Sequence, residues 1–251
     1  MKVLVKGRIY MKQETPSPFF LAIVPRDGQG VKDWGNAATM NARCFGVEKP
    51  PSICYNGGTC CERWKGNMEF RVYRQWQELS PAVGAGVEAL LEEAFPAEER
   101  RDMEEVRQLL GKTSLELLTL EEEDRVQGLL MLWNLEGLMF LENFAVDAGL
   151  RGRGIGARML EYVWEHWKKP MLLEVEPPEG DMQRRRIGFY ERNGFCLNAY
   201  PYQMPCLHGD GPALPLLLMS RPAPLTDQEA RQAAERLYRE VYAGKRRPEL
   251  P

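Results

Sequence analysis

No apolar run in the 251 residues approaches the ~18 to 20 positions that a membrane-spanning helix requires, so no span and no membrane partner are expected. The first residues, MKVLVKGRIYMKQE, turn polar after Val5, too early for the apolar core of a secretory signal, and a cytoplasmic location is the expectation. Histidine is scarce, with only His166 and His208. The six cysteines, Cys44, Cys54, Cys60, Cys61, Cys196 and Cys206, include no CxxC pair. A structural zinc site wants paired ligands at short spacing, so free thiols and no metal are expected. A strong basic excess is also missing: 33 Lys and Arg face 36 Asp and Glu, for a net charge of -3. That balance argues against a general polyanion binder and therefore against nucleic acid. There is no internal repeat and no low-complexity tract.

What is present divides near Met68. Up to residue 67 there are ten basic and five acidic residues, with many Gly, Pro, Asn and Cys. Stretches such as VPRDGQGVKDWGNAATMNARCFG have neither strand alternation nor a helical stripe. Residues 1–67 are read as an irregular extension, with short strands at Lys2–Arg8 and Phe19–Val24 as the only candidates. The break also raises the hypothesis that Met68 is the biological start, which N-terminal peptides of the native protein would decide.

From Met68 the pattern becomes orderly. MEFRVYRQW alternates like a half-buried strand. Ser80-Pro81 opens a helix through VEALLEEAF, and EERRDMEEVRQLL is a second, charged helix ending at Gly111. LELLTLEE, VQGLLMLWN and LMFLENFAV, separated by hairpin-length breaks, predict three consecutive antiparallel strands. A helix runs from Gly154 to about Lys168 with Ile155, Met159, Leu160, Val163, Trp164 and Trp167 on one face. MLLEVE is a strand and MQRRRIGFYERN a helix stopped by Gly194. FCLNAYPYQM and LPLLLMS are read as the last two strands. The tail LTDQEARQAAERLYREVYAG begins with a capping box, Thr226 with Glu229. Its packing face, Ala230, Ala233, Leu237 and Val241, suits either covering the sheet or docking a second copy in a homodimer.

LRGRGIGARML, residues 150–160, puts three glycines and two arginines at the start of a helix. Helix N-termini leave N–H groups unpaired and favour negative charge, glycine lets an anion approach the backbone, and guanidinium forks suit phosphate oxygens. A dinucleotide-binding GxGxxG fails here, because the preceding strands are antiparallel and the third glycine comes two residues after the second. A Walker loop fails for want of Gly-Lys-Ser/Thr.

Arg151-x-x-Gly154-x-Gly156, after a strand ending AVDAGL, resembles the R/Q-x-x-G-x-G/A signature of the GNAT superfamily of acyl-CoA-dependent N-acyltransferases. IGFYERNGF, residues 187–195, is similar to the family's second hallmark, a helix with a tyrosine ending in Asn-Gly-Phe. The resemblance covers roughly Met68 to Ser220, and the tail looks like that of bacterial GNAT proteins of unassigned substrate. It implies an α/β fold: a mixed, mostly antiparallel sheet of about six or seven strands flanked by helices. The domain would span residues 68–222, with 223–251 a C-terminal helix and tail packing on it.

The resemblance further implies that Arg151, Gly152, Arg153, Gly154, Ile155 and Gly156 cradle the coenzyme A pyrophosphate, while Phe144, Ala145 and Val146 pair their backbone with the pantetheine arm. Acetyl-CoA would be the co-substrate, with no metal, and a small-molecule or peptide amine the acceptor. Transfer would be direct, in a ternary complex. Tyr190 is the candidate acid that protonates the departing sulfur. Glu142 and Glu174, in the fourth and fifth strands where these should diverge, are the candidate bases. The bland readings stand beside these: Tyr190 packs with Phe189 and Phe195, and either glutamate faces solvent or only orients substrate. Arg184, Arg185 and Arg186 read as a solvated run or a 3′-phosphate contact, Tyr200, Tyr202 and Met204 as core or acceptor pocket, and Cys196 as a small buried residue. A competing function is a GNAT-fold module that binds acyl-CoA without turnover, as a sensor or partner-docking subunit.

Overall fold

The computed structural model describes residues 68–248. Residues 1–67, read above as an irregular extension with two candidate strands, lie outside the described residues, and so do Cys44, Cys54, Cys60 and Cys61. Eight strands form the sheet: β1 Met68–Tyr73, β2 Leu115–Glu122, β3 Arg125–Leu135, β4 Leu138–Val146, β5 Met171–Val175, β6 Cys196–Leu197, β7 Tyr202–Met204 and β8 Leu214–Arg221. Their order is β1-β2-β3-β4-β5-β8-β6, with β7 also pairing β8. Every pair is antiparallel except β4 with β5. The expected mixed sheet is there, one or two strands larger than expected. The β2–β3 turn uses Glu123 and Asp124 at φ 50° and 60°. Positive φ at both central residues matches the twist of the flanking strands.

Two layers of helix cover the sheet. On one side lie α1 (Pro81–Ala94), α2 (Met103–Leu109) and α5 (Asp227–Arg236), which runs on through a wider turn at Leu237–Val241. Ser80 caps α1, its hydroxyl accepting from Val83 N–H at 3.3 Å, and Pro81 starts the first turn without needing a donor. Val83, Val87, Leu90, Leu91 and Ala94 recur at helical spacing and are buried. On the other side lie α3 (Ile155–Trp167) and α4 (Asp181–Arg192). Tyr162 of α3 stacks on Phe70 at 4.2 Å, and Trp167 donates to Glu116 at 3.2 Å. Gly128 of β3 lets α3 come close, because a Cβ there would meet Met159 Sδ at 2.8 Å.

Three expectations need correction. EERRDMEEVRQLL is not one helix: a 3-10 turn at Ala97–Glu99 precedes the shorter α2, because Arg101 turns inward instead of lying on a helix face. FCLNAYPYQM is not one strand. It breaks into β6 and β7 around Asn198, whose backbone N–H still donates to Leu218 O at 2.9 Å while its side chain adds bonds to β8 and to the chain beyond it. Its amide donates to Leu218 O at 3.1 Å and Ser220 Oγ at 3.1 Å, and its Oδ1 accepts from Leu225 N–H at 2.7 Å. The packing face of the tail uses Ala234 more fully than Ala233, with Ala230, Ala234, Leu237, Tyr238, Val241 and Tyr242 all buried against this chain's own sheet. The face offered above to a second copy is thus already covered. The Thr226–Glu229 capping box is present.

Asn198→Ala removes several bonds at once from buried partners. A loss of about 2 to 4 kcal/mol is expected, read as a lower urea midpoint at unchanged slope.

Candidate active site

The parallel β4–β5 ladder has only three pairs, Met139↔Met171, Phe140↔Leu172 and Leu141↔Leu173. Beyond Leu141 and Leu173 the strands separate, while β4 keeps its partner β3 as far as Val146. The next residue on each diverging strand is a buried glutamate: Glu142 on β4 and Glu174 on β5, each 1% exposed. The β3–β4 register also shifts here. Met131 pairs Asn143 and Leu132 pairs Leu141, so Glu142 is the extra, bulged residue. The backbone of Phe144, Ala145 and Val146 facing β5 therefore borders an opening rather than a strand.

β4 leads directly to the glycine turn. Asp147 begins it, its carboxylate accepting from Gly149 N–H at 2.8 Å. Gly152 and Gly154 have φ of 77° and 79°, in the left-handed region. Gly154 is the N-cap of α3, and no side chain caps that end. Its first-turn amides at Ile155, Gly156 and Ala157 thus point into an exposed loop with the positive end of the dipole behind them. Gly156 has a different reason: a Cβ would sit 3.2 Å from Phe189 and 3.3 Å from Phe144, at the junction of α3, α4 and β4. Arg151 donates to Val146 O at 3.3 Å, tying the loop back to the end of β4. Arg153 is exposed.

The two glutamates have different surroundings. Glu142 accepts from Arg101 Nε at 2.9 Å and Trp133 Nε1 at 2.8 Å. Arg101 is itself buried. It bonds Glu105 at 2.5 Å and Val241 O at 2.7 Å, and lies over the Trp133 ring at 5.4 Å. Burial opposes its charge, but Glu142 and Glu105 outweigh that and hold the guanidinium above its ordinary value. Glu174 instead accepts from two phenols, Tyr202 at 2.5 Å and Tyr242 at 2.9 Å to each oxygen. Burial, and then the charge of Glu174, push both phenols well above the ordinary tyrosine value, so both remain donors.

Tyr190 lies on the other side of the sheet, on α4. It is fully buried between Phe189 (5.2 Å between rings) and Phe195 (5.6 Å), and burial raises its phenol far more than Arg186 lowers it. The arginine run splits: Arg184 is exposed and bonds Asp181, Arg185 is exposed, and Arg186 is buried against Glu176 at 2.6 Å. Cys196, Tyr200, Tyr202 and Met204 are buried, His166 is exposed, and His208 bonds Ala97 O and Arg100 O. Sequence reasoning missed Arg101, Trp133, Asn143 and Tyr242. Asn143 is 1% exposed, and its amide nitrogen has no hydrogen-bond partner among the described residues. Its only signal was its place next to Glu142 in the strand. Among the described residues no group of His, Cys, Asp and Glu is placed to hold a metal ion, and no helix is long and apolar enough to cross a membrane.

Arg101→Met strands the buried Glu142 charge and should cost about 3 to 5 kcal/mol in urea unfolding. Adding Glu142→Leu should recover much of that loss, a non-additivity that a double-mutant cycle reads directly.

The comparisons with known proteins agree with this geometry. The family model for an acetyltransferase (GNAT) domain matches residues 113–196, which run from just before β2 to the start of β6. A Bacteroides thetaiotaomicron protein assigned to the GNAT acetyltransferase family is 30% identical, with a TM-score of 0.63 over 69% of this chain and 98% of that one. A GNAT acetyltransferase from Elizabethkingia anophelis with acetyl-CoA bound is 17% identical, with a TM-score of 0.44 over 62% of this chain and 98% of that one. The ribosomal-protein-S18-alanine N-acetyltransferase of Escherichia coli is 18% identical, with a TM-score of 0.43 over 63% and 96%. No curated relative matches the chain. With a diverging β4–β5 pair, a glycine turn capping α3 and a relative of 30% identity spanned almost end to end, the chain belongs to the GNAT superfamily of acyl-CoA-dependent N-acyltransferases.

Proposed function

We propose that this chain moves an acetyl group from acetyl-CoA to a primary amine by direct transfer in a ternary complex. The observation that carries the reading is the separation of β4 from β5 one residue before two buried carboxylates, with the uncapped start of α3 at the end of β4. The pyrophosphate would take the first-turn amides of α3 with Arg151 and Arg153, and the pantetheine arm would run along Phe144, Ala145 and Val146 as a missing strand. The thioester then reaches the bulge at Glu142. Holding amine and thioester in line supplies most of the acceleration. Residues 68–222 would form the catalytic domain, with 223–251 packed on it.

Of the two carboxylates, Glu174 is the better proton acceptor. Glu142 already faces a guanidinium and an indole N–H, and its role is to hold the bulge in place. Glu174 accepts from two phenols, and a neutral donor opposes protonation of a carboxylate less than a guanidinium does. Tyr190 assists the leaving sulfur as a hydrogen-bond donor. A phenol raised by burial is too weak an acid to surrender its proton outright to a thiolate. That same packing favours the second reading, an acyl-CoA-binding module without turnover.

Acetyl-CoA at ~100 times its Kd should stabilise the protein by about 2.7 kcal/mol and raise its Tm by several degrees. Gly154→Val, which puts a branched side chain at φ 79°, should abolish that shift. In a screen of amines followed by thiol release from acetyl-CoA, Glu174→Gln should lower kcat by about 10²- to 10⁴-fold and keep the acetyl-CoA-dependent Tm shift. Tyr190→Phe should likewise keep binding and slow turnover. A parent protein that binds acetyl-CoA but releases no thiol with any amine would establish the binding module instead.

A further inference from the structure

Tyr242 follows α5, 68 residues after Glu174, yet its ring is 1% exposed and its hydroxyl reaches both oxygens of that carboxylate at 2.9 Å. Tyr202, on β7, reaches Oε1 at 2.5 Å. Together they fix the carboxylate from two directions. The segment carrying Tyr242 is anchored in turn: Val241 O accepts from Arg101 at 2.7 Å, Lys245 Nζ bonds Leu207 O at 2.8 Å and Glu105 at 3.1 Å, and the Tyr242 ring meets Phe140 edge-on at 6.5 Å. Such anchoring exceeds what a cover for apolar surface needs.

We propose that the C-terminal segment is a working part of the site, with Tyr242 and Tyr202 as positioning residues that clamp Glu174 and fix its orientation toward the acceptor amine. This rests on the reading of Glu174 as proton acceptor. The charged and titratable groups around the clamp are Arg101 from the turn before α2, Glu142 from β4, and Tyr238 from the turn after α5. A phenol donating to the anion favours the charged carboxylate, so removing either hydroxyl shifts the titration of Glu174 to higher pH.

The test is a pH titration of the full chain labelled with 13C at glutamate carboxyls, the Glu174 signal being assigned by its loss in Glu174→Gln. Tyr242→Phe and Tyr202→Phe should each move its midpoint up by about one pH unit. Tyr238→Phe is the control for packing damage. Its hydroxyl bonds Gln203 O and its ring stacks on Tyr202, so it disturbs the same cluster without touching the carboxylate. It should leave the midpoint in place. The acid limb of acetyl transfer to any amine found by thiol release should move with the midpoint, about 10-fold in rate at a pH one unit below the parent limb. A midpoint unmoved in a folded Tyr242→Phe or Tyr202→Phe protein overturns the clamp. If Tyr242→Phe does not fold, Tyr202→Phe alone decides. An acid limb that stays put while the midpoint moves also overturns the positioning role. Glu174→Gln turning over at the parent rate would sink the proton-acceptor reading instead, and the midpoints would still report whether the phenols bind the carboxylate.

Discussion

β4 and β5 share only three residue pairs, and most of what is distinctive about this molecule follows from where that ladder stops. A parallel pair is held by hydrogen bonds along its length. Ending it early leaves one side of β4 without a strand, a gap that a folded chain tolerates only if something fills it or the strands are held apart. Here they are held apart from both sides. On β4 the bulge at Glu142 is pinned by Arg101 and Trp133. On β5, Glu174 is pinned by phenols from β7 and the tail, while β8 keeps β5 in the sheet. The opening is built by buried polar contacts that an apolar core would not need.

Those contacts explain why the α5 side of the sheet is more than a lid. Arg101 joins Glu142, Glu105 and Val241 O, bringing the turn before α2, the β4 bulge and the C-terminal segment to one point. A buried guanidinium is costly alone and strongly held when surrounded by carboxylates and a carbonyl. The glycine turn and α3 lie on the opposite face. One side of the sheet therefore carries a helix start without a side-chain cap and the other a pair of acids, with the strand gap between them. That division suits the reaction proposed above, in which acetyl-CoA and an amine would approach from different sides.

Much of this was legible in the sequence where the signal is local. The glycine turn was read from its spacing, and Gly154 does stand at the first position before α3, with no side-chain cap. The hairpins β2 to β4, the Thr226–Glu229 box and the apolar face of α3 followed from short-range pattern. Glu142 and Glu174 were placed in the two strands expected to diverge, but not with the partners each has. Those partners come from far along the chain: Arg101 sits in a run of charges that reads as a solvated helix, and Tyr242 in a tail that reads as an amphipathic cover. The break at Asn198 was invisible for a related reason. Its amide bonds Leu218 and Ser220, twenty or more positions away, and no local propensity shows that a side chain will anchor the chain there.

Binding of acetyl-CoA in the strand gap is tested most directly by following backbone amide signals by NMR while acetyl-CoA is added. Saturable shifts are expected at Ile155, Gly156 and Ala157 of α3 and at Phe144, Ala145 and Val146 of β4, the two places where backbone groups face the gap or an uncapped helix end. Saturable shifts that leave both segments unmoved would contradict binding in the gap.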